Sequence, residues 1–367
     1  MKKLISLFVI TMMVFAAACS DGEPVQTDTA SPSESAAPTE TQTEAEVRDY
    51  YTADDYLADP SLFVPAWEGE FEVPAAMLDF EEKWNSFLQT DGRMMTVGHR
   101  GERNIYYPEN SLEAVMSVIA AGVDAVELDV HKTRDNVVVI MHDTDLLGTT
   151  NLALKRLEGE DDGLPESNSI RDWTLEELRQ LRLTKGNGGE ETPYVIPTLE
   201  DAIKVCRDRC FIMLDDKKNE LDWNMDVFTL LRANDAYRTV LPIYNYGSRA
   251  GFDVLKLICK TLANNNGSGI APYLLRTKST AEDLADSASK IAEFELFPGL
   301  RCGEYDETNK DIFKDYIGKY RIYVETLSSP NDNAGTWQKI DSDGFNFVMS
   351  NNHTYDLIRY VAETYFG

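Results

Sequence analysis

Ala125-Val126-Glu127-Leu128-Asp129-Val130, then Thr133-Arg134-Asp135-Asn136, then Val137-Val138-Val139-Ile140-Met141 is the stretch that decides the architecture. The first run has the look of a strand whose acidic residues, two apart, share one face. The polar turn sends the chain back into a second apolar run, which predicts a hairpin appended to that strand. Reading outward, short apolar runs recur at Met94–Gly98, Cys210–Asp215, Thr239–Tyr244, Gly269–Leu275, Glu295–Gly299, Tyr320–Thr326 and Gly344–Ser350. Amphipathic stretches lie between them: Ser111–Ala121, Thr198–Cys206, Trp223–Asn234, Ala250–Ala263, Ala281–Ala292, Lys310–Tyr316 and Tyr355–Phe366. Eight strand–helix units predict an α/β fold, a (β/α)8 TIM barrel with a small hairpin insertion after strand two. An open doubly wound sheet is the alternative that periodicity leaves standing.

The flanks set the context. Met1-Lys2-Lys3 precedes the uncharged run Leu4–Ala18, which is shorter than the ~20 residues of a spanning helix and reads as an export signal over 1–18. Ala16-Ala17-Ala18-Cys19 resembles a bacterial lipobox, with Ala16 where a larger aliphatic is usual. Cys19 is then the lipidation site, and the mature protein is extracytoplasmic, lipid-anchored to the bacterial cell membrane. Residues 19–50 are rich in Ser, Thr, Pro, Ala and Glu and too poor in large apolar groups to offset ordering entropy, so they form a disordered tether. An N-terminal extension follows over 51–92, with a helix within Pro74–Leu88 packed under the barrel of 93–367.

The chain of 367 residues carries 35 Lys+Arg against 63 Asp+Glu, a net charge of -28. With no concentrated basic patch, nucleic acid is excluded as a partner. No obligate protein partner is evident. Cys206, Cys210, Cys259 and Cys302 lack the CxxC spacing of a thiolate zinc site. Only Cys206 and Cys210 are close enough in sequence to pair locally, with buried free thiols as the alternative.

Chemistry-bearing residues gather at strand ends. His99 and Arg100 follow strand one, Glu127 and Asp129 end strand two, His142 and Asp143 close the hairpin, and Asp215 and Lys217 end strand three. In a barrel these converge on one rim. Glu127, Asp129 and Asp215 make a hard, oxygen-rich set that suits Mg²⁺ or Ca²⁺ better than zinc. Two imidazoles can serve as acid and base near neutral pH. Arg100 and Lys217 supply donors for a phosphate, and together with a metal they would stabilise a phosphodiester transition state. Each residue alone also has an ordinary reading as a solvated strand end or surface ion pair.

His99-Arg100-Gly101, Pro108-Glu109-Asn110-Ser111, Glu127-Leu128-Asp129-Val130 and His142-Asp143 resemble, in order and spacing, the glycerophosphodiester phosphodiesterase family. Thr174-Leu175-Glu176-Glu177-Leu178 and Ile196-Pro197-Thr198-Leu199-Glu200 are similar to its next landmarks. The resemblance implies a metal-dependent barrel enzyme that splits glycerophosphodiesters into glycerol 3-phosphate and an alcohol. It implies His99 and His142 as the acid/base pair, Glu127 and Asp129 as metal ligands and Arg100 as a phosphate contact. Asp215-Asp216-Lys217 stands where the family carries Glu-x-Lys, so the third ligand is a methylene shorter and Asp216 is a rival. Asn110 is expected to cap the first barrel helix with Glu113 as its capping-box partner, and Glu109 to support the site from behind. His131 is expected at the rim, and His353 at the start of the last helix.

Beyond residue 217 the pattern thins. Tyr323-Val324-Glu325-Thr326 replaces a Trp-containing motif and Ser350-Asn351 replaces a Thr-Asp ending, while Phe297 and Trp337 are expected to shape the pocket. The glycine-rich run Gly186-Asn187-Gly188-Gly189 follows no strand and lacks the Lys-Ser/Thr of a nucleotide loop, so it reads as a flexible connection. Hydrolysis of a small-molecule or lipid-derived phosphodiester is the function expected. The alternatives are a phospholipase D-like enzyme on lysophospholipid, sphingolipid or a polyglycerophosphate wall polymer, and an inactive lipid-anchored binding protein.

Overall fold

The computed structural model describes residues 48–66, 71–215, 221–245, 274–276, 280–282, 284, 285, 289, 299–326 and 330–367. The export signal, most of the tether, Cys19, Asp216, Lys217, Cys259 and Phe297 lie outside them, as do the helix expected at 250–263 and most of the strand expected at 269–275. Among the described residues there are nine strands: β1 (Met95–His99), β2 (Ala125–Lys132), β3 (Val138–Ile140), β4 (Phe211–Asp215), β5 (Val240–Asn245), β6 (Leu274–Arg276), β7 (Gly299–Glu304), β8 (Arg321–Thr326) and β9 (Phe347–Ser350). They pair in the order β1-β9-β8-β7-β6-β5-β4-β2-β3, and an additional β1–β2 pairing closes the ring. Every barrel pairing is parallel, whereas β3 lies antiparallel on β2 with Val130 opposite Ile140. The eight-stranded barrel and its hairpin are therefore both present.

The helices are α1 (Ala53–Ala58), α2 (Ala75–Leu78), α3 (Phe80–Leu88), α4 (Leu112–Ala120), α5 (Leu152–Glu158), α6 (Leu175–Leu178), α7 (Leu199–Cys206), α8 (Leu221–Ala233), α9 (Glu307–Phe313), α10 (Ala334–Ser342) and α11 (Thr354–Tyr365). Among the described residues none is long and apolar enough to cross a membrane. The apolar run expected as one helix over Pro74–Leu88 is two, because Asp79 leaves helical geometry and accepts from the Glu81 amide at 2.9 Å to start α3.

α3 forms the floor of the barrel. Phe80, Phe87 and the partly buried Trp84 pack against the inward residues of the strands, among them Met95, Val97, Phe211, Met213, Tyr323 and Phe347. Burial of each such ring contributes about 2–3 kcal/mol. Polar groups on the floor are satisfied through backbone carbonyls. Lys83 donates from Nζ to the carbonyls of Val123 at 2.7 Å and Arg209 at 2.6 Å, and the buried Arg321 guanidinium donates to Phe87 at 3.2 Å and Asn346 at 3.1 Å. A second apolar layer separates the strands from the surrounding helices, and Ala53, Tyr56 and Met77 of the N-terminal segment join it.

Three expectations change. The strand expected at 295–299 lies outside the described residues except for Gly299, and β7 runs on from there to Glu304 past the expected end; its inward residue is the charged Arg301, which a search for apolar runs passes over. β9 starts at Phe347 rather than Gly344, whose φ of 84° terminates the preceding turn. The insertion is also larger than a hairpin. Residues from Val139 to Ile196 build a satellite core around Trp173, Leu152, Leu178 and Leu183. Cys206 and Cys210 are both buried and unbridged.

Candidate active site

β1 carries apolar side chains inward at Met95 and Val97, then His99 at its C-terminal end. The register sets His99 beside Glu127, and Asp129 beside Asp215, so neighbouring strands present their polar residues at one level. This is the rim at which barrel sites form. The turn out of β1 is tightly constrained. Gly98 has no room for a side chain, since a Cβ would stand 2.4 Å from the Gly101 carbonyl oxygen. Arg100 then adopts φ 56°, a left-handed conformation that costs an L-residue roughly 1–2 kcal/mol. It is held by its N–H donating to the Glu127 carbonyl at 2.8 Å and its carbonyl accepting from the Asn110 N–H at 3.0 Å. Such backbone strain concentrates at functional sites.

Glu127, Asp129 and Asp215 each offer a carboxylate oxygen within 4.8 Å of the others, and all three are buried. Burial, then Asp129 and Asp215, push the Glu127 carboxyl well above its ordinary value. Glu127 Oε2 and Asp215 Oδ1 are buried without a hydrogen-bond partner among the described residues. Unpaired carboxylate oxygens crowded at this range are costly unless a cation joins them. The all-oxygen donor set fits a divalent hard cation. The shorter Asp215 therefore still reaches the cluster.

The two histidines differ in their surroundings. His99 is 8% exposed; its Nδ1 lies 2.6 Å from Asn351 Oδ1 and its Nε2 3.7 Å from Glu127 Oε2. An amide oxygen only accepts, so Nδ1 carries the proton and Nε2 turns a lone pair to the site. Burial and then the Arg100 charge push this imidazole down to about 3, which keeps it neutral. His142 Nδ1 lies 2.7 Å from Asp143 Oδ1, which fixes the orientation of the ring. His131 accompanies it: buried, with Nε2 3.0 Å from the His142 carbonyl oxygen, it braces the backbone of His142.

Arg100 sits between carboxylates, with Nη1 2.5 Å from Glu109 and Nε 3.2 Å from Asp129. Asn110 does not cap α4. Its φ of 61° is left-handed and its Nδ2 donates to Asp129 Oδ2 at 3.2 Å, so it steadies a metal-ligand candidate. Ser111, one residue on, is the cap and accepts from the Ala114 N–H at 3.1 Å. Glu113 instead accepts from the Tyr56 hydroxyl. Trp337 lies in the outer apolar layer rather than at the pocket, its ring tilted against Tyr360 with centroids 6.0 Å apart. His353 stands at the start of α11, half exposed, 3.1 Å from Asp356.

Arg301 and Asp332 escape a strand-end search, and Asn351, marked in the sequence only as the ending of the last strand, takes a defined role. Arg301 reaches Asp215 Oδ2 at 3.6 Å and pairs with Glu325, spreading positive charge behind the acidic cluster. Asn351 orients His99. Asp332 is buried and fastens the turn that presents Asn351, accepting from the amides of Asn351 at 2.9 Å and Asn352 at 3.0 Å and from Ser350 Oγ at 2.9 Å. The inward alternation of Arg301 and Glu325 on their strands was the available signal for the first pair; Asp332 had none.

A buried acidic trio flanked by two imidazoles and an arginine is an arrangement that comparison with other proteins can place. Residues 99–256 match the Glycerophosphoryl diester phosphodiesterase family. A glycerophosphodiester phosphodiesterase of Caldanaerobacter subterraneus is 30% identical over 122 residues, 33% of this chain and 44% of the relative. The chain thus spans less than half the length of the curated relatives it first matches. In fold, a glycerophosphoryl diester phosphodiesterase from Parabacteroides distasonis aligns with TM-score 0.59 at 20% identity, covering 78% of this chain and 92% of that one. An Oleispira antarctica phosphodiesterase, solved with its product sn-glycerol-3-phosphate, aligns with TM-score 0.52 at 20% identity, covering 74% and 97%. These neighbours share the (β/α)8 barrel of the glycerophosphoryl diester phosphodiesterases.

Proposed function

We propose that this chain is a glycerophosphoryl diester phosphodiesterase, hydrolysing glycerophosphodiesters to glycerol 3-phosphate and an alcohol. The observation that carries the reading is the buried acidic trio with two unpartnered oxygens, beside His99 Nε2 at 3.7 Å from Glu127 and Arg100 at 3.2 Å from Asp129. Glu127, Asp129 and Asp215 would hold a divalent cation, Ca²⁺ or Mg²⁺. Such an ion supplies charge neutralisation at the phosphoryl oxygens. His99 Nε2 takes the proton of the attacking hydroxyl, its tautomer held by Asn351. His142 gives its proton to the leaving alkoxide, with Asp143 behind it to stabilise the charged ring. Arg100, fixed by Glu109, offers bidentate donors to the phosphate. Lys217 is proposed for the same role on the strength of its place after β4.

The experiment is release of glycerol 3-phosphate from glycerophosphodiesters, with Ca²⁺ or Mg²⁺ and with EDTA. Release that EDTA abolishes supports the reading, and His99→Ala and His142→Ala should each lower kcat by at least ~100-fold. No release with any divalent metal would refute it. The proposal extends to location: an export signal followed by acylation of Cys19 would tether the enzyme outside the cytoplasm. Incorporation of labelled palmitate that persists in Cys19→Ser would refute the anchor.

A further inference from the structure

β7 carries into the barrel a charged side chain that no step of the proposed hydrolysis uses. Arg301 is buried, and its guanidinium reaches from β7 to β4, which are separated in the sheet by β5 and β6. Its Nη1 lies 3.6 Å from Asp215 Oδ2, while Nε and Nη2 both face Glu325 Oε1 on the neighbouring β8. The Tyr323 ring lies 5.6 Å from the guanidinium carbon. Straight after Arg301 the ladder between β7 and β8 shifts its register, with Gly303 at φ 81°. A bulge of this kind re-aims the side chains beside it. Glu325 and Tyr323 thus hold the guanidinium, and its remaining nitrogen faces a metal-ligand candidate. A buried ion pair adds little net stability once desolvation is counted. The effect of this one falls on Asp215.

A carboxylate can give a metal one oxygen or two. Asp215 Oδ2 is turned to Arg301, whereas Oδ1 is buried without a hydrogen-bond partner among the described residues. An ion bound through both oxygens would stand against the guanidinium, and like charges at that range repel strongly in a buried site. Asp129 is held in a similar way, its Oδ2 lying 3.2 Å from Asn110 Nδ2 and 3.2 Å from Arg100 Nε. In two of the three carboxylates, then, one oxygen already faces the chain's own donors. Ca²⁺ takes about six to eight oxygens in a flexible shell and readily uses both of a carboxylate. Mg²⁺ demands a near-octahedral shell, which the narrow bite of a carboxylate does not suit, and it keeps several waters.

We infer that the Arg301–Glu325 pair determines the specificity of the metal centre: by holding Asp215 to ligation through one oxygen, it makes the centre select Mg²⁺ over Ca²⁺. The inference rests on the metal-dependent reading above and narrows its cation. Arg301 touches no reacting atom; it is a positioning residue that acts through Asp215, and Glu325 positions Arg301 in turn.

The test is calorimetric titration of the metal-free protein with MgCl₂ and with CaCl₂, in the wild type, Arg301→Met and the double variant Arg301→Met/Glu325→Gln. The double variant is measured because Arg301→Met alone leaves Glu325 as an unpaired buried charge. Mg²⁺ should bind the wild-type protein more tightly than Ca²⁺. In both variants the ratio of the two dissociation constants should move towards Ca²⁺ by at least ~10-fold, the scale on which residues behind metal ligands act. Losing the guanidinium charge strengthens both divalent ions alike, so the ratio isolates the effect on Asp215. A partly unfolded variant lowers the number of sites filled and leaves the ratio in place. Asp215→Asn should weaken both ions, and undiminished binding there would place the ion elsewhere and overturn the inference. Tighter binding of Ca²⁺ by the wild type, or a ratio that moves by less than ~10-fold in the double variant, would overturn the selection of Mg²⁺ and leave the hydrolytic reading standing. Binding of neither ion would refute the metal centre, and the inference with it.

Discussion

Replacing Asn351 with leucine removes the acceptor that faces His99 Nδ1, 2.6 Å away, while keeping a side chain of similar size. Because the imidazole is 8% exposed, water has little room to take over. Two outcomes are open to the ring. If the proton stays on Nδ1, a buried donor goes unsatisfied at about 1–3 kcal/mol. If it moves to Nε2, that nitrogen can no longer accept a proton from the attacking hydroxyl. A penalty of this size shifts the tautomer population by about 5- to 150-fold, and kcat should fall by that factor. KM should move less than about 3-fold, since the phosphate contacts are untouched. Saturation kinetics on a glycerophosphodiester reads the first quantity, and the ¹⁵N shifts of the His99 ring read the tautomer directly. A kcat within about 3-fold of wild type in a variant whose ring shifts report the Nε2-protonated form would refute the assignment of His99 as base.

Other outcomes follow from the same contacts. Phe87→Ala should cost about 3–5 kcal/mol in urea unfolding, because the fully buried ring meets Phe211 and Phe347 at 5.2 and 5.9 Å; a loss under 1 kcal/mol would mean the floor does not hold the barrel. Glu113, buried beneath Tyr56, is pushed up to about 7 by burial, so the folded state keeps a proton that the unfolded chain gives up from about 4.5. That stabilisation is complete below pH 4.5 and is lost as pH rises through 7, by about 3 kcal/mol at most. Glu113→Gln should flatten the stability profile across that window, and an unchanged slope would contradict it. Ca²⁺ or Mg²⁺ at ~100 times its Kd should add about 2.7 kcal/mol to unfolding by calorimetry. Asp129→Asn should abolish most of that gain; an equal gain in the variant would place the ion elsewhere.

The parts of the fold legible in the sequence were those written in local pattern. β1, β2, β4 and β8 come within a residue or two of the expected bounds because alternation and apolar runs coincide there. The acidic trio was legible for the same reason, each member closing such a run. What stayed hidden depends on tertiary placement. Arg301 lies on a strand whose inward face is charged, so its run does not look apolar. Asp332 acts on His99 from the far end of the chain, through a turn with no periodicity of its own that presents Asn351, a residue the sequence marked only as a strand ending. Asn110 looked like a helix cap because composition favours it, yet its left-handed backbone redirects the amide to Asp129. The glycine-rich loop gave no sign that Asn104 and Gly148 would clamp it.

The barrel floor has a consequence for how the molecule reaches this state. Phe87 and Arg321, or Phe87 and Phe347, are separated by most of the domain's length, and Arg321 holds the carbonyls of Ser86, Phe87 and Gln89 at the end of α3 as well as that of Asn346. The segment that seals the bottom is made early, while the strands it seals arrive last. Its rings must wait, solvent-facing, for closure. Contacts so distant along the chain predict slow assembly, with seconds rather than milliseconds as the natural scale. A fragment begun at the first strand would lack its own base and would be expected to aggregate rather than fold.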